Sequence, residues 1–281
     1  MKVRVITSVV GLGILALVLC FFDTILFNLA LAAVALIAVH EVYMAFSLKA
    51  PWVYGLFAAA TVLVMLNDGR PLPLALRMPS VLFLLALCLA GSVIVRSQEL
   101  SFAKVGGMAL FSGLIWACFW SMLYVRAHFA HHADAIYFLV LGLGFAWGGD
   151  TCAFFAGHAF GRHKLAPVVS PHKTVEGAVG GVLGAMAVGV AITAVYLACW
   201  DSPLQQAADS LWLYLVIAAA GLAGGVLGIL GDLTASVVKR QCGIKDYGTI
   251  FPGHGGILDR FDSVLFVIPF LALLLSAAFN F

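Results

Sequence analysis

The chain has 281 residues, of which 63% are hydrophobic and only 10% carry a charged side chain. Soluble globular domains carry about 25% charged residues, and the mean hydropathy of this chain is +1.09. The composition therefore excludes an ordinary soluble domain, and the net charge of +2 is too small to indicate a nucleic-acid partner. We predict an all-α, polytopic integral membrane protein.

About nine apolar segments are candidates for transmembrane helices, each of which needs roughly 20 residues to cross a bilayer. They cover residues 5–22, 24–46, 52–67, 79–96, 105–125, 135–157, 176–199, 211–231 and 263–280. The first of them begins like a signal peptide, but Leu19 before Cys20 is a poor lipoprotein cleavage signal and apolar segments continue throughout the chain. It is therefore predicted to remain as the first span.

The positions of the positive charges predict the orientation of these helices. If the N-terminus is cytoplasmic, twelve of the 15 Lys and Arg residues lie on that side, and only Arg70, Arg77 and Arg126 lie on the other. Bacterial membrane proteins keep Lys and Arg in their cytoplasmic loops. Both charged segments, 158–175 and 232–262, are therefore predicted to form a polar site that faces the cytoplasm.

The first polar block reads DTCAFFAGHAFGRHKLAPVVSPHKTVEG and covers residues 150–177. Asp150 is a functional candidate because a charge at membrane depth is costly. Ser170, Lys173 and Thr174 lie at the start of the seventh span, where a helix N-terminus beside a lysine can bind phosphate. Glu176 either stabilises the helix dipole or belongs to the same site. The block differs from a Walker A loop, whose GxxxxGK[ST] pattern it does not contain.

The second polar block begins with GDLTASVVKR at residues 231–240. At 100° per helical residue, Asp232, Ser236 and Lys239 share one helix face, with Arg240 at its edge. Cations near a helix C-terminus need no functional explanation. Asp232 does need one, because it lies where the span should still be apolar.

The block continues with GIKDYGTIFPGHGGILDRFD at residues 243–262. Its glycines can turn backbone N–H groups toward an anion, and its carboxylates can hold a hard cation. These groups, together with the lysines and arginines, are typical of sites for phosphoryl or nucleotidyl transfer. The alternative is that Asp232 and Asp259 only form structural ion pairs with Arg240 or Arg260.

The second block resembles the signature of the CDP-diacylglycerol synthases, or phosphatidate cytidylyltransferases. The matching positions are Ser236, Lys239, Arg240, Lys245, Asp246, Gly248, Pro252, His254, Gly255, Gly256, Asp259, Arg260 and Asp262. The first block is similar to a second family element, with its D-T-x-A-[FY] and S-P-x-K-T-x-E-G patterns. Val175 stands where many members have tryptophan. The resemblance is specific over residues 147–262 and general over 1–130.

The resemblance implies transfer of the cytidylyl group of CTP to phosphatidic acid, which gives CDP-diacylglycerol and pyrophosphate. It also implies Mg²⁺ as cofactor, in a two-metal arrangement in which Mn²⁺ can substitute, a homodimer, and a location in the bacterial inner membrane. Residues 1–130 then form a scaffold of helices that gives access to lipid, and residues 131–281 form the catalytic core with both blocks.

The residues expected to act fall into three sets. The catalytic candidates are Asp232, Asp259, Lys245, Asp246 and His254. The substrate-binding candidates are Ser170, Lys173, Thr174, Ser236, Lys239, Arg240, Gly255, Gly256 and Arg260. The metal ligands are predicted to be Asp232 and Asp259, with Asp150, Asp246 and Asp262 as alternatives. Replacing Asp232 or Asp259 by Asn is expected to lower turnover by roughly 10²–10³-fold.

The sequence is also compatible with other functions. A polyprenol kinase or an ether-lipid cytidylyltransferase would also use CTP at a membrane. A transporter also places charges within the membrane, but it usually shows internal repeats, which this sequence does not show. The role of the His40-Glu41 pair stays open. A zinc site at His128, His131 and His132 is a minor alternative, because nearby residues do not complete a ligand set.

Overall fold

The computed structural model describes residues 2–67, 78–129, 131–200, 210–251, 253 and 255–279. Helices dominate this part of the chain. They are α1 (Lys2–Cys20), α2 (Ile25–Ala45), α3 (Pro51–Leu66), α4 (Met78–Val95), α5 (Phe102–His128), α6 (His132–Leu143), α7 (Gly149–Phe160), α8 (Val175–Cys199), α9 (Ser210–Gln241), α10 (Leu258–Phe261) and α11 (Val264–Phe279). A π-helical turn, Gly144–Gly148, joins α6 to α7.

The helices confirm an all-α, polytopic membrane protein. Among the described residues, five helical segments are long and apolar enough to cross a membrane, and one of them runs continuously from α6 to α7. Four shorter apolar helices accompany them. Each of the nine segments predicted from hydropathy falls on one of these helices. The predicted His254 and Pro252 positions, like Arg70 and Arg77, lie outside the described residues.

The chain divides into two compact units. The N-terminal unit contains residues 1–127 together with 242–260, and the C-terminal unit contains 128–241 together with 261–281. Residues 242–260, which the sequence analysis assigned to the catalytic core, cluster with the N-terminal helices. The functional division into scaffold and core stays a prediction.

The N-terminal unit is built around α2, α3 and α5. Its core includes Phe57 and Ile115, which are fully buried. Two hydrogen bonds across helices pair polar groups in this core, where an unpaired polar group is costly. The indole Nε1 of Trp116 donates to Thr61 Oγ1 at 2.9 Å, and Asn28 Nδ2 donates to the carbonyl of Met65 at 3.0 Å.

The C-terminal unit packs α7 and α9 closely against α8. A Cβ at Gly180 would collide with Ala156, and a Cβ at Gly225 would come within 2.8 Å of the Cα of Val182. Small residues let membrane helices approach at backbone distance. The glycine-rich stretches at 177–189 and 221–231 therefore serve helix packing in this unit.

A short β-hairpin between α7 and α8 was not predicted. Strand β1 (Lys164–Ala166) pairs antiparallel with β2 (Ser170–Thr174), with Lys164 opposite Thr174. The charged residues of this segment predict a polar loop instead. Strands of three and five residues are too short for alternation to reveal them, and their pairing satisfies backbone groups that would otherwise depend on water.

Candidate active site

Three aspartates form a carboxylate cluster in the C-terminal unit, and we use that name for Asp150, Asp232 and Asp262. Asp150 lies in the first turn of α7, directly after the π-helical turn. Single π-helical turns inside α-helices often accompany functional sites. Asp232 lies within the long helix α9, and Asp262 lies between α10 and α11.

Asp232 is engaged by one cation and one hydroxyl. The ammonium of Lys173 lies 2.5 Å from Asp232 Oδ2, and both side chains are about one quarter exposed. Ser236, one turn further along α9, donates from Oγ to Asp232 Oδ1 at 3.2 Å. The predicted shared helix face of Asp232 and Ser236 is therefore confirmed. The Lys173 contact joins the end of the hairpin to α9.

Asp262 is the most buried carboxylate of the cluster. Burial, together with the negative charges of Asp232 and Asp150, raises the pKa of Asp262 well above its usual range, while the Lys239 ammonium opposes that rise. Lys239 is itself only 9% exposed. Such a cluster favours either bound protons or an added cation, because several carboxylates close together in a poorly solvated site repel one another.

Backbone and hydroxyl contacts bring these aspartates to one place. Ser263 donates from Oγ to Asp150 Oδ2 at 2.8 Å, and its backbone N–H donates to Asp262 Oδ1 at 2.9 Å. Gly231 allows α9 to approach the same segment, because a Cβ at that position would collide with the carbonyl oxygen of Asp262. The glycine that precedes Asp232 therefore has a packing reason.

The hairpin and the start of α8 are tied together by local contacts. Thr174 is the N-cap of α8, and its Oγ1 accepts from the backbone N–H of Gly177 at 3.1 Å. Glu176 accepts from the backbone N–H groups of Arg162 and His163 and from the His163 ring. Arg240 donates from Nε to the carbonyl of Val169 at 3.3 Å, which links α9 to the hairpin turn.

Residues 242–258, here called the signature loop, belong to the N-terminal unit together with Asp259 and Arg260. Asp259 Oδ2 accepts from the backbone N–H of Tyr247 at 2.8 Å and from that of Gly256 at 2.9 Å. Gly255 has a φ of 84°, in the left-handed region that favours glycine. The Asp259 carboxylate therefore holds two parts of the signature loop together through their backbone N–H groups.

Glu41 is a contributor that sequence reasoning left unassigned. Its carboxylate accepts from the backbone N–H groups of Ile257 and Leu258, at 2.9 and 2.8 Å. Glu41 is only 4% exposed although it lies in the apolar helix α2. An acidic residue late in an apolar span was a signal for a specific partner, but the partner lies more than 200 residues away in sequence.

The predicted site residues thus fall into two groups. The C-terminal unit brings together Asp150, Lys173, Asp232, Ser236, Lys239 and Asp262, and it places Ser170, Thr174 and Arg240 on the adjoining hairpin, helix start and helix end. The N-terminal unit contains Lys245, Asp246, Gly255, Gly256, Asp259 and Arg260. Lys245, Asp246 and Arg260 are exposed, whereas Asp259 is buried.

The carboxylate cluster offers oxygen atoms that suit a cation. Among the described residues, no group of three or more His, Cys, Asp or Glu side chains has the arrangement of a metal site. Asp232 and Asp150 nevertheless lie close enough to Asp262 to raise its pKa. Oxygen ligands of this kind suit Mg²⁺, which usually takes one or two carboxylates and completes its shell with phosphates and water. The donor set therefore fits a hard divalent cation.

These features define a multi-pass helical membrane protein with a cluster of carboxylates and lysines in one unit and a glycine-rich loop in the other. The sequence profile of the cytidylyltransferase family matches residues 2–278. The chain therefore belongs to the cytidylyltransferase family.

Similar proteins cover nearly the whole chain. The phosphatidate cytidylyltransferase of Staphylococcus haemolyticus is 34% identical over 280 residues, which are 98% of this chain and 99% of that protein. The phosphatidate cytidylyltransferase of Bacillus subtilis is 32% identical over 285 residues, with 98% of each chain covered. The bacterial relatives thus agree with the resemblance stated from the two polar blocks.

Proposed function

We propose that this protein is a phosphatidate cytidylyltransferase, which converts CTP and phosphatidic acid into CDP-diacylglycerol and pyrophosphate. The observation that carries the proposal is the carboxylate cluster with its ion-paired Lys173, held within the helices of a chain that belongs to the cytidylyltransferase family. One substrate is a water-soluble polyanion and the other is a lipid. Their common site must be both charged and embedded in apolar helices.

In the proposed reaction, a phosphate oxygen of phosphatidic acid attacks the α-phosphorus of CTP. A new P–O bond forms, the bond from the α-phosphorus to the bridging oxygen of the β-phosphate breaks, and pyrophosphate leaves. Catalysis of such a transfer is mostly positioning and neutralisation of charge. Lys173, Lys239, Arg240, Lys245 and Arg260 are proposed to bind the phosphates.

Asp232, Asp262 and Asp150 are proposed to hold a Mg²⁺ ion. When bound, Mg²⁺ would supply positive charge beside the reacting phosphates. Its site competes with the observed Lys173–Asp232 pair. With Mg²⁺ bound, Asp232 would exchange its ammonium partner for the cation, and Lys173 would be left to bind an anionic phosphate. Asp259 and Asp246 remain alternative ligands, and Mn²⁺ is expected to substitute.

The assay uses purified protein with dioleoyl phosphatidic acid, Mg²⁺ and CTP labelled at either the α- or the γ-phosphate. Label from the α-phosphate, but not from the γ-phosphate, should enter the lipid fraction together with stoichiometric pyrophosphate release. Transfer of the γ-label would indicate a lipid kinase instead. Archaeal-type ether lipid should be a poorer substrate than phosphatidic acid. A preference for the ether lipid would indicate an ether-lipid cytidylyltransferase instead.

The site is proposed to face the cytoplasm of a bacterial cell, since the topology predicted from the sequence places twelve of the 15 Lys and Arg residues on the cytoplasmic side. Reporter fusions after residue 281 and within 126–134 should both report the opposite, external side. A cytoplasmic signal from 126–134 would overturn this orientation. We also expect a homodimer, which light scattering of the detergent-solubilised protein measures directly.

A further inference from the structure

We propose that Glu41 is a positioning residue for the reaction, which it serves by holding the signature loop in its active conformation. This inference rests on the function proposed above and assigns Glu41 a role within it. Glu41 is far from both polar blocks in sequence, and it belongs to the helix that the sequence analysis treated as scaffold.

The first argument is the hydrogen bonding of the Glu41 carboxylate. Oε1 accepts from the N–H of Ile257 at 2.9 Å, and Oε2 accepts from the N–H of Leu258 at 2.8 Å. Each oxygen thus has its own backbone donor, and hydrogen bonds to a charged acceptor are stronger than neutral ones. A carboxylate that is only 4% exposed needs such partners, because an unpaired charge in an apolar interior is strongly unfavourable.

The second argument is the shape of the loop around the carboxylate. Added Cβ atoms at Gly248 or Gly256 would collide with Glu41 Oε1. Two glycines of the signature loop therefore leave space for the side chain of Glu41. Neither glycine has a positive φ, so backbone conformation does not explain them. Their packing against the carboxylate does.

The third argument is the connection from Glu41 to predicted site residues. The three consecutive amides of Gly256, Ile257 and Leu258 all donate to carboxylates, the first to Asp259 and the other two to Glu41. Asp259 and Arg260 follow immediately in the chain. A shift of these amides would therefore move Asp259 and Arg260, which links a scaffold helix to the placement of both side chains.

The test compares Glu41→Gln with Glu99→Gln. Glu99 is a matched control in the same unit, because it is exposed and forms a surface ion pair with Arg96. In Glu41→Gln, the side-chain NH₂ group would face one of the two backbone donors. That bond is lost, and we expect turnover to fall roughly tenfold, the effect of about 1.4 kcal/mol. Glu99→Gln should keep wild-type turnover.

Hydrogen exchange separates positioning from a general effect on folding. In Glu41→Gln, exchange should become faster at the amides of 256–258 and stay unchanged in α3 and α5. Faster exchange throughout the N-terminal unit would overturn the proposal, since it would indicate a purely structural role. Local exchange that stays slow, or local exchange that rises with full turnover retained, would also overturn it.

A second pair of variants tests the same contact from the loop. Gly248→Ala should push against Glu41 and reproduce both the local exchange and the loss of turnover. Its control is Gly106→Ala on α5, where a Cβ would have nothing within 4 Å.

A wild-type protein inactive toward CTP and phosphatidic acid would refute the proposed function. The exchange measurements on the wild-type and variant proteins would still decide whether Glu41 holds the loop.

Discussion

The carboxylates of the two units contact different kinds of partner. In the C-terminal unit, Asp232 faces the ammonium of Lys173, and Asp262 lies near two other aspartates and Lys239. In the N-terminal unit, Glu41 and Asp259 accept from backbone N–H groups of the signature loop. The same functional group therefore serves charge balance in one region and loop conformation in the other.

Because the partners differ, loss of the negative charge and loss of the hydrogen-bond acceptor should have different effects in the two units. A carboxylate that balances cations loses its function when it becomes an amide, even if the amide fills the same space. A carboxylate that accepts backbone N–H groups can be replaced partly by an amide oxygen, since that oxygen remains an acceptor. Replacing Asp by Asn should therefore lower turnover more in the C-terminal unit than in the N-terminal unit.

The largest effect is expected for Asp232→Asn. This change keeps the size of the side chain but removes the charge that pairs with Lys173 and that a divalent cation would need. We expect turnover to fall by roughly 10²–10³-fold. Initial rates of lipid-linked cytidine formation over a range of Mg²⁺ concentrations measure it.

Asp23→Asn is the matched control, because Asp23 is an exposed aspartate in the turn before α2. It should retain wild-type turnover. Wild-type turnover and Mg²⁺ dependence in monodisperse Asp232→Asn protein would remove Asp232 from the proposed cation site.

Lys173→Gln should have the second largest effect. The change removes the cation that pairs with Asp232 and that is proposed to bind a substrate phosphate. Hydrogen bonds to charged groups contribute about 1.5–3 kcal/mol, so kcat/KM should fall by roughly 30-fold. Lys164→Gln on the neighbouring strand of the same hairpin is the control, since Lys164 is exposed. Equal kinetics for the two variants would contradict a specific role for Lys173.

Asp259→Asn should have a smaller effect than Asp232→Asn. Sequence reasoning predicted the same large loss for both residues. Because Asp259 Oδ2 accepts two backbone N–H groups, an asparagine oxygen can keep part of this interaction. We expect turnover to fall roughly tenfold, the effect of weakening two charge-assisted bonds. A loss as deep as that of Asp232→Asn would support Asp259 as a metal ligand.

Local sequence patterns predicted much of the helical framework. Hydropathy located all nine apolar segments, because the bilayer sets the length and composition of a span. Helical periodicity also predicted that Asp232 and Ser236 share one face, and their hydrogen bond confirms it. Both predictions concern residues that are close together in the sequence.

Contacts between distant segments could not be predicted in this way. Lys173 and Asp232 come from different elements, and the bonds from Ile257 and Leu258 to Glu41 span more than 200 residues. Periodicity holds no information about which helices become neighbours. The resemblance could indicate that the polar residues act together, but it could not show that Glu41 holds the loop.

The smallest effect is expected at Thr174, where capping and substrate binding can be separated. Thr174 Oγ1 accepts from the N–H of Gly177 at the start of α8. Loss of such a cap in Thr174→Ala should lower the free energy of unfolding by about 1 kcal/mol. Thr174→Asn can restore the cap, because asparagine is among the preferred N-cap residues. The unfolding midpoint of the solubilised protein measures this difference.

The two variants also distinguish the cap from a direct contact with substrate. If Thr174 serves only as a cap, Thr174→Asn should retain both the wild-type unfolding midpoint and the wild-type KM for CTP. If its hydroxyl also binds phosphate, Thr174→Asn should keep the midpoint but raise the KM, whereas Thr174→Ser should keep both. We expect the second pattern, because Lys173 beside it is held at Asp232 in the carboxylate cluster. An unchanged KM in Thr174→Asn would confine Thr174 to its structural role and remove it from the substrate site.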